Sequence, residues 1–134
     1  MERQLVAVQP LPVRVPDRVH RLSLTGGMMG YNWGINGLQW ANRQPLDVTS
    51  GERVNFIMVN NTMMAHPMHM HGHHFQVVEV NGTTISGAMR DTVLVPPMAT
   101  VTIAFDANNP GRWLFHCHNL YHMASGMMTE VVYS

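Results

Sequence analysis

The chain has no lysine, a single cysteine, and no apolar run approaching the roughly 18 residues that a membrane span requires. With one cysteine a disulfide framework is impossible, so cysteine usage says nothing about compartment and leaves Cys117 open to chemistry. Charge is sparse and balanced. Eight arginines face eight acids, which gives no electrostatic footprint for nucleic acid or an anionic membrane. No long stretch carries a 3.6-residue apolar period, and there is neither an internal repeat nor a low-complexity tract. The 134 residues suit one domain rather than a two-domain enzyme. Residues 1–8 do not read as a signal peptide, so the sequence is expected to be a mature form or a piece of a longer chain.

What is present is short, strand-like and frequently interrupted. Pro10, Pro12 and Pro16 deny ladder hydrogen bonds to residues 1–18, which read as an extended arm or linker ahead of a domain over residues 19–134. Residues 20–25, 53–60, 75–80, 100–105, 111–116 and 128–133 are β-rich and partly alternating. Between them stand turn formers such as Ser50-Gly51, Asn60-Asn61, Pro96-Pro97 and, as the strongest hairpin signal, Asn81-Gly82. Strands this short with turns this frequent predict an all-β, antiparallel sandwich. Asp17, Asp47, Glu52 and Arg43 read as ordinary solvated charges.

Two residue types are concentrated. Of nine histidines, eight lie in residues 66–74 and 116–122, and many of the thirteen methionines flank the same segments. Cys117 sits between His116 and His118, with His122 and Met127 five and ten positions on. A thiolate, an imidazole and a thioether on one loop are the protein half of a blue-copper ligand set, which needs a second histidine. His66, where Pro67 restricts the backbone, is the candidate for that nitrogen. In extended backbone Cys117 faces one way while His116 and His118 face the other, so one tripeptide can touch two metal sites. His69 and His71 likewise share a face, leaving four imidazoles to converge elsewhere. His20, His73 and His74 read as supporting or surface groups. A methionine outside the loop reads as core filler.

The patterns His66-Pro67-x-His69-x-His71-Gly72-His73-x-Phe75 and His116-Cys117-His118-x3-His122-x3-Gly126-Met127 resemble the two carboxy-terminal copper signatures of multicopper oxidases, in the laccase and copper-resistance group. The resemblance extends to Tyr31-x-Trp33-x-Ile35-Asn36-Gly37, Arg90-Asp91-Thr92-Val93 and Phe105-Asp106-x-x-Asn109-Pro110-Gly111, over about residues 20–134. It implies a cupredoxin-like fold, an eight-stranded Greek-key β-sandwich equivalent to the last domain of three-domain enzymes. It also implies that His66, Cys117 and His122 bind type 1 copper with Met127 axial. His69 would bind type 2 copper, and His71, His116 and His118 the type 3 pair. Electrons would pass from type 1 copper through Cys117 to His116 and His118, and a trinuclear cluster would reduce dioxygen to water. A periplasmic or extracellular setting goes with the resemblance.

The chain departs from the family where it matters most. A complete trinuclear site uses eight imidazoles, and this chain supplies four, so self-association or other domains of a larger oxidase would have to complete it. Met70 stands where leucine is usual, and residues 119–126 carry no carboxylate. The leading expectation is a copper-dependent oxidoreductase domain acting on a small reducing substrate, a phenol or Cu(I). The alternatives are a single-site electron-transfer cupredoxin, the excised last domain of a longer oxidase, or a Cu(I) carrier using Met28, Met29, Met63, Met64 and Met128. Asp91 would either orient a ligand histidine or pair with Arg90 or Arg112.

Overall fold

The computed structural model describes residue 11 and residues 14–26, 33–118 and 126–134. Twelve strands occur there, joined by turns and one short 3₁₀ turn at Trp40–Asn42. They are β1 (Arg18–Thr25), β2 (Gly34–Ile35), β3 (Leu46–Val48), β4 (Arg53–Asn60), β5 (His66–Met70), β6 (Phe75–Val80), β7 (Thr83–Thr84), β8 (Met89–Arg90), β9 (Thr92–Val95), β10 (Thr100–Asp106), β11 (Arg112–Cys117) and β12 (Met128–Tyr133). One sheet runs β2-β1-β4-β10-β6-β7 with β8 also on β6, and the other runs β3-β12-β11-β5-β9. The chain alternates between these sheets, as a cupredoxin sandwich requires. Among the described residues no helix is long and apolar enough to cross a membrane.

All six strand-like segments read from the sequence become strands, and Asn81-Gly82 makes the expected tight turn, with φ of 48° and 82°. Two expectations need correction. The sandwich is not purely antiparallel, because β1 pairs with β4 and β3 with β12 in parallel. Parallel neighbours are joined by long crossovers and leave no local turn signature. Nor is the strand count eight, since short strands such as β3, β8 and β9 carry too little alternation to stand out.

The core lies between the sheets. In β5 the burial alternates, with His66, Met68 and Met70 inward and Pro67 and His69 outward. Phe56 of β4 packs edge-on against Phe105 at 5.2 Å and, across the sandwich, Phe115 at 5.3 Å. Each such pair contributes about 0.5–1.5 kcal/mol beyond its buried area, so this trio fixes how the sheets face one another.

The charges taken as solvated do more than that. Glu52 pairs with Arg18 at 2.9 Å, and Asp17 accepts the Arg53 backbone N–H at 2.8 Å. Arg43, stacked 3.6 Å over Trp40, reaches Glu130 at 2.5 Å. Glu130 also accepts from Arg112 and is only 3% exposed. Burial raises its carboxyl, but the bonds from Arg43 and Arg112 outweigh that and hold it below the usual range.

Candidate metal centre

Cys117 ends β11 opposite Met68, and His116 stands opposite His69. This register puts the thiol on the inner face with His66, and both side chains are fully buried. Cys117 Sγ lies 3.8 Å from His66 Nδ1. For a first-row ion such as zinc, legs of about 2.0–2.1 Å to nitrogen and 2.3 Å to sulfur would span that distance at an angle of roughly 120°. That is the opening of a trigonal His₂Cys site, so this donor pair fits a bound ion.

Backbone hydrogen bonds hold the adjoining chain in place. The Cys117 N–H donates to Met127 O at 3.1 Å, and the His118 N–H to Pro67 O at 2.6 Å. Met127 is fully buried beside the thiol's strand. Gly126, at φ 101°, lets the chain pass close to Gln39, where a Cβ would sit 2.7 Å from that side chain. His122 lies outside the described residues, as do Leu120, Tyr121 and Met123.

The outer face carries the second group. His69, His71 and His116 each offer a ring nitrogen, all within 4.8 Å of one another. His71 Nε2 and His116 Nε2 are 3.0 Å apart, close enough for both to reach one ion. The His118 ring is 5.5 Å from that of His69 and 6.1 Å from that of His116, so it joins the same face.

Hydrogen bonds on the far side of the rings set which nitrogen points inward. His69 Nδ1 donates to Asp91 O at 3.0 Å with Thr92 Oγ1 also at 3.0 Å, and His116 Nδ1 donates to Cys117 O at 3.0 Å. Each ring thereby presents Nε2 to the cluster. Asp91 orients His69 chiefly through its carbonyl, while Arg112 pairs with Glu130 instead. Burial, reinforced by the neighbouring imidazoles, pushes the His71 and His116 pKa values down. Both shifts favour the neutral ring, the form that ligates a metal.

Other groups brace these rings, and of them only His73 was read as a supporting group from the sequence. Thr62 Oγ1 meets His66 Nε2 at 2.8 Å, and the Trp33 ring stands edge-on to His66 at 5.2 Å. His73 is buried, with Nδ1 donating to His71 O at 3.1 Å and Nε2 accepting from Tyr133 Oη at 2.6 Å. Asn109 and Trp113 complete this brace, through Asn109 N–H to Tyr133 Oη at 3.1 Å and Trp113 Nε1 to Asn109 O at 2.8 Å. His74 is exposed, and His20 Nε2 lies 2.8 Å from Asp47 O. Of the methionines considered as Cu(I) ligands, Met63 is exposed, Met64 packs on the core, Met128 is half-buried, and Met28 and Met29 lie outside the described residues.

Comparison with known proteins identifies the family. The family profile described as Multicopper oxidase matches residues 13–134. Multicopper oxidase MmcO of Mycobacterium tuberculosis is 42% identical over 120 residues, covering 88% of this chain and 23% of that protein. A copper resistance protein A homolog of Pseudomonas syringae pv. tomato is 39% identical over 118 residues, covering 88% of this chain and 20% of the relative. The crystal structure of McoA multicopper oxidase from Aquifex aeolicus superposes with a TM-score of 0.81 at 33% identity, covering 94% of this chain and 31% of that one. The chain thus spans about a fifth of the length of the curated relatives it matches. With profile, relatives and fold in agreement, this chain belongs to the multicopper oxidase family and is a cupredoxin-fold copper protein.

Proposed function

We propose that the domain is a copper-dependent oxidoreductase unit that carries one type 1 electron-transfer site and half the ligands of an oxygen-reducing trinuclear cluster. In this reading His66, Cys117 and His122 hold type 1 copper with Met127 axial. His69 serves type 2 copper, and His71, His116 and His118 serve the type 3 pair. One observation carries it. Cys117 looks inward at His66 across 3.8 Å, while its neighbour His116 looks outward, its Nε2 3.0 Å from that of His71. A single tripeptide then links the two sites covalently, the short route an electron needs. Copper supplies the one-electron redox chemistry; the protein fixes ligand geometry and excludes water from the thiolate.

A second copy of the chain would raise four imidazoles to the eight of a full cluster, so self-association completes the site and gives the domain laccase-like oxidase activity. Phenols and Cu(I) are the donors we propose, in a periplasmic or extracellular setting. The chain's fractional coverage of its relatives favours a second reading, in which it works as the last domain of a longer oxidase.

Copper content and assembly mass discriminate between the readings. A symmetric pair sharing one cluster would bind about five ions, two type 1 and three shared, and would consume oxygen with a phenol. One copper per chain in a monomer that consumes no oxygen would overturn self-association and leave the electron-transfer unit. A copper-loaded chain without intense visible absorption would overturn the type 1 assignment itself.

A further inference from the structure

We infer that Asn60 and Thr62 are positioning residues that lock the His66 ring in one tautomer and turn Nδ1 toward Cys117. The inference rests on reading His66 as a ligand of the inner site.

The donors and acceptors that lead to His66 lie inside the protein. Asn60 is fully buried and Thr62 is 6% exposed. Asn60 Nδ2 faces three backbone carbonyls, those of Met64 at 2.8 Å and of Val95 and Pro96 at 3.0 Å each. Only an N–H₂ group satisfies that surround, so the amide cannot be flipped and Oδ1 must point the other way. There it accepts the Thr62 backbone N–H at 2.9 Å and the Thr62 hydroxyl at 2.6 Å. The other oxygen near that hydroxyl, Met64 O at 3.0 Å, is again only an acceptor.

The hydroxyl's one hydrogen is therefore committed, and its oxygen can only accept from His66 Nε2, 2.8 Å away. Nε2 must carry the proton. Nδ1 is left with its lone pair directed at Cys117 Sγ. The direction of every hydrogen bond thus follows from the three carbonyls, through Asn60 and Thr62, to the nitrogen available to a metal. In the metal-free chain the Cys117 thiol can donate to Nδ1, which agrees with the same tautomer.

The test uses the full chain, first without metal. Nitrogen-15 spectra of the imidazoles should show His66 protonated at Nε2 in the native protein and in Thr62→Ser, and mixed or Nδ1-protonated in Thr62→Val. With Cu(II) added, Thr62→Val should bind about 10–100-fold more weakly, and Thr62→Ser should recover most of the loss. Each tenfold lost by Cu(II) alone raises the reduction potential by about 59 mV. A native His66 protonated at Nδ1 overturns the proposal, and needs no variant to fold. It is also overturned if Thr62→Val keeps the Nε2 proton and binds Cu(II) within twofold of the native chain, or if Thr62→Ser is as impaired as Thr62→Val. The two readings fail separately. The expected tautomers without visible colour in the Cu(II)-loaded native chain would sink the type 1 assignment while leaving the positioning role in place.

Discussion

Gly72 lies in the turn between His71 and the buried His73, and a methyl group added there meets two separate obstacles. Its φ of 75° is left-handed, which costs an alanine about 1–2 kcal/mol. The new Cβ would also lie 2.4 Å from Trp113 Cδ2 and 2.7 Å from Cε2 and Cε3. Carbon atoms in ordinary contact stand about 3.5–4.0 Å apart, so the indole would have to retreat by more than an ångström. It has little room to do so, since Nε1 is bonded to Asn109 O and the ring lies near His73 and Gly111.

Overpacking of this kind costs about 1–3 kcal/mol, which brings Gly72→Ala to roughly 2–5 kcal/mol in all. Gly82→Ala supplies the control. Its φ is 82°, but nothing lies within 4 Å of the added atom, so it carries the backbone cost without the collision. Urea unfolding of the metal-free protein, followed by circular dichroism, should place Gly72→Ala at least about 1 kcal/mol below Gly82→Ala. Equal stabilities, within about 0.5 kcal/mol, would refute the claim that Trp113 seals the turn below His71.

Other expectations follow from the same geometry. Cys117→Ser should abolish the visible band of the copper-loaded protein, measured by absorption, while the fold survives. Met127→Leu is a nearly volume-conserving change in a buried site, costing less than about 1.5 kcal/mol. It should keep the colour and raise the reduction potential in voltammetry, and a colourless variant would contradict the axial role of Met127. Glu130→Gln removes the charge held by Arg43 and Arg112. Because the Arg112 side chain is 68% exposed, most of the loss belongs to the Arg43 bond, about 2 kcal/mol by chemical unfolding at pH 7. The carboxyl of Glu130 sits below its ordinary value near 4.3, so its contribution is complete above that pH and is lost as pH falls through the lower folded value. Melting temperatures measured from pH 6 to 3 should accordingly fall less steeply in Glu130→Gln than in the native chain.

Much of this protein was legible along the chain because the relevant information is local. Period-two alternation marked the long strands, Asn81-Gly82 marked the hairpin, and the faces of Cys117, His116 and His118 followed from extended backbone alone. The proposed metal ligands could be picked out for the same reason, since each histidine, cysteine and methionine motif is confined to one short segment. What needed the tertiary structure was every relation between distant segments. The parallel pairings of β1 with β4 and β3 with β12, the meeting of Arg43 with Glu130 87 positions away, and the Tyr133 brace under His73 have no local signature. Asn60 shows the difference most plainly. As a sequence feature it is half of a turn-forming pair, because asparagine satisfies its own backbone readily. Only when β4, the 62–66 segment and the 95–96 turn are packed together does its amide find three carbonyls to hold and a threonine to direct. Hydrogen-bond direction depends on which partners converge in space, and no single segment carries that information.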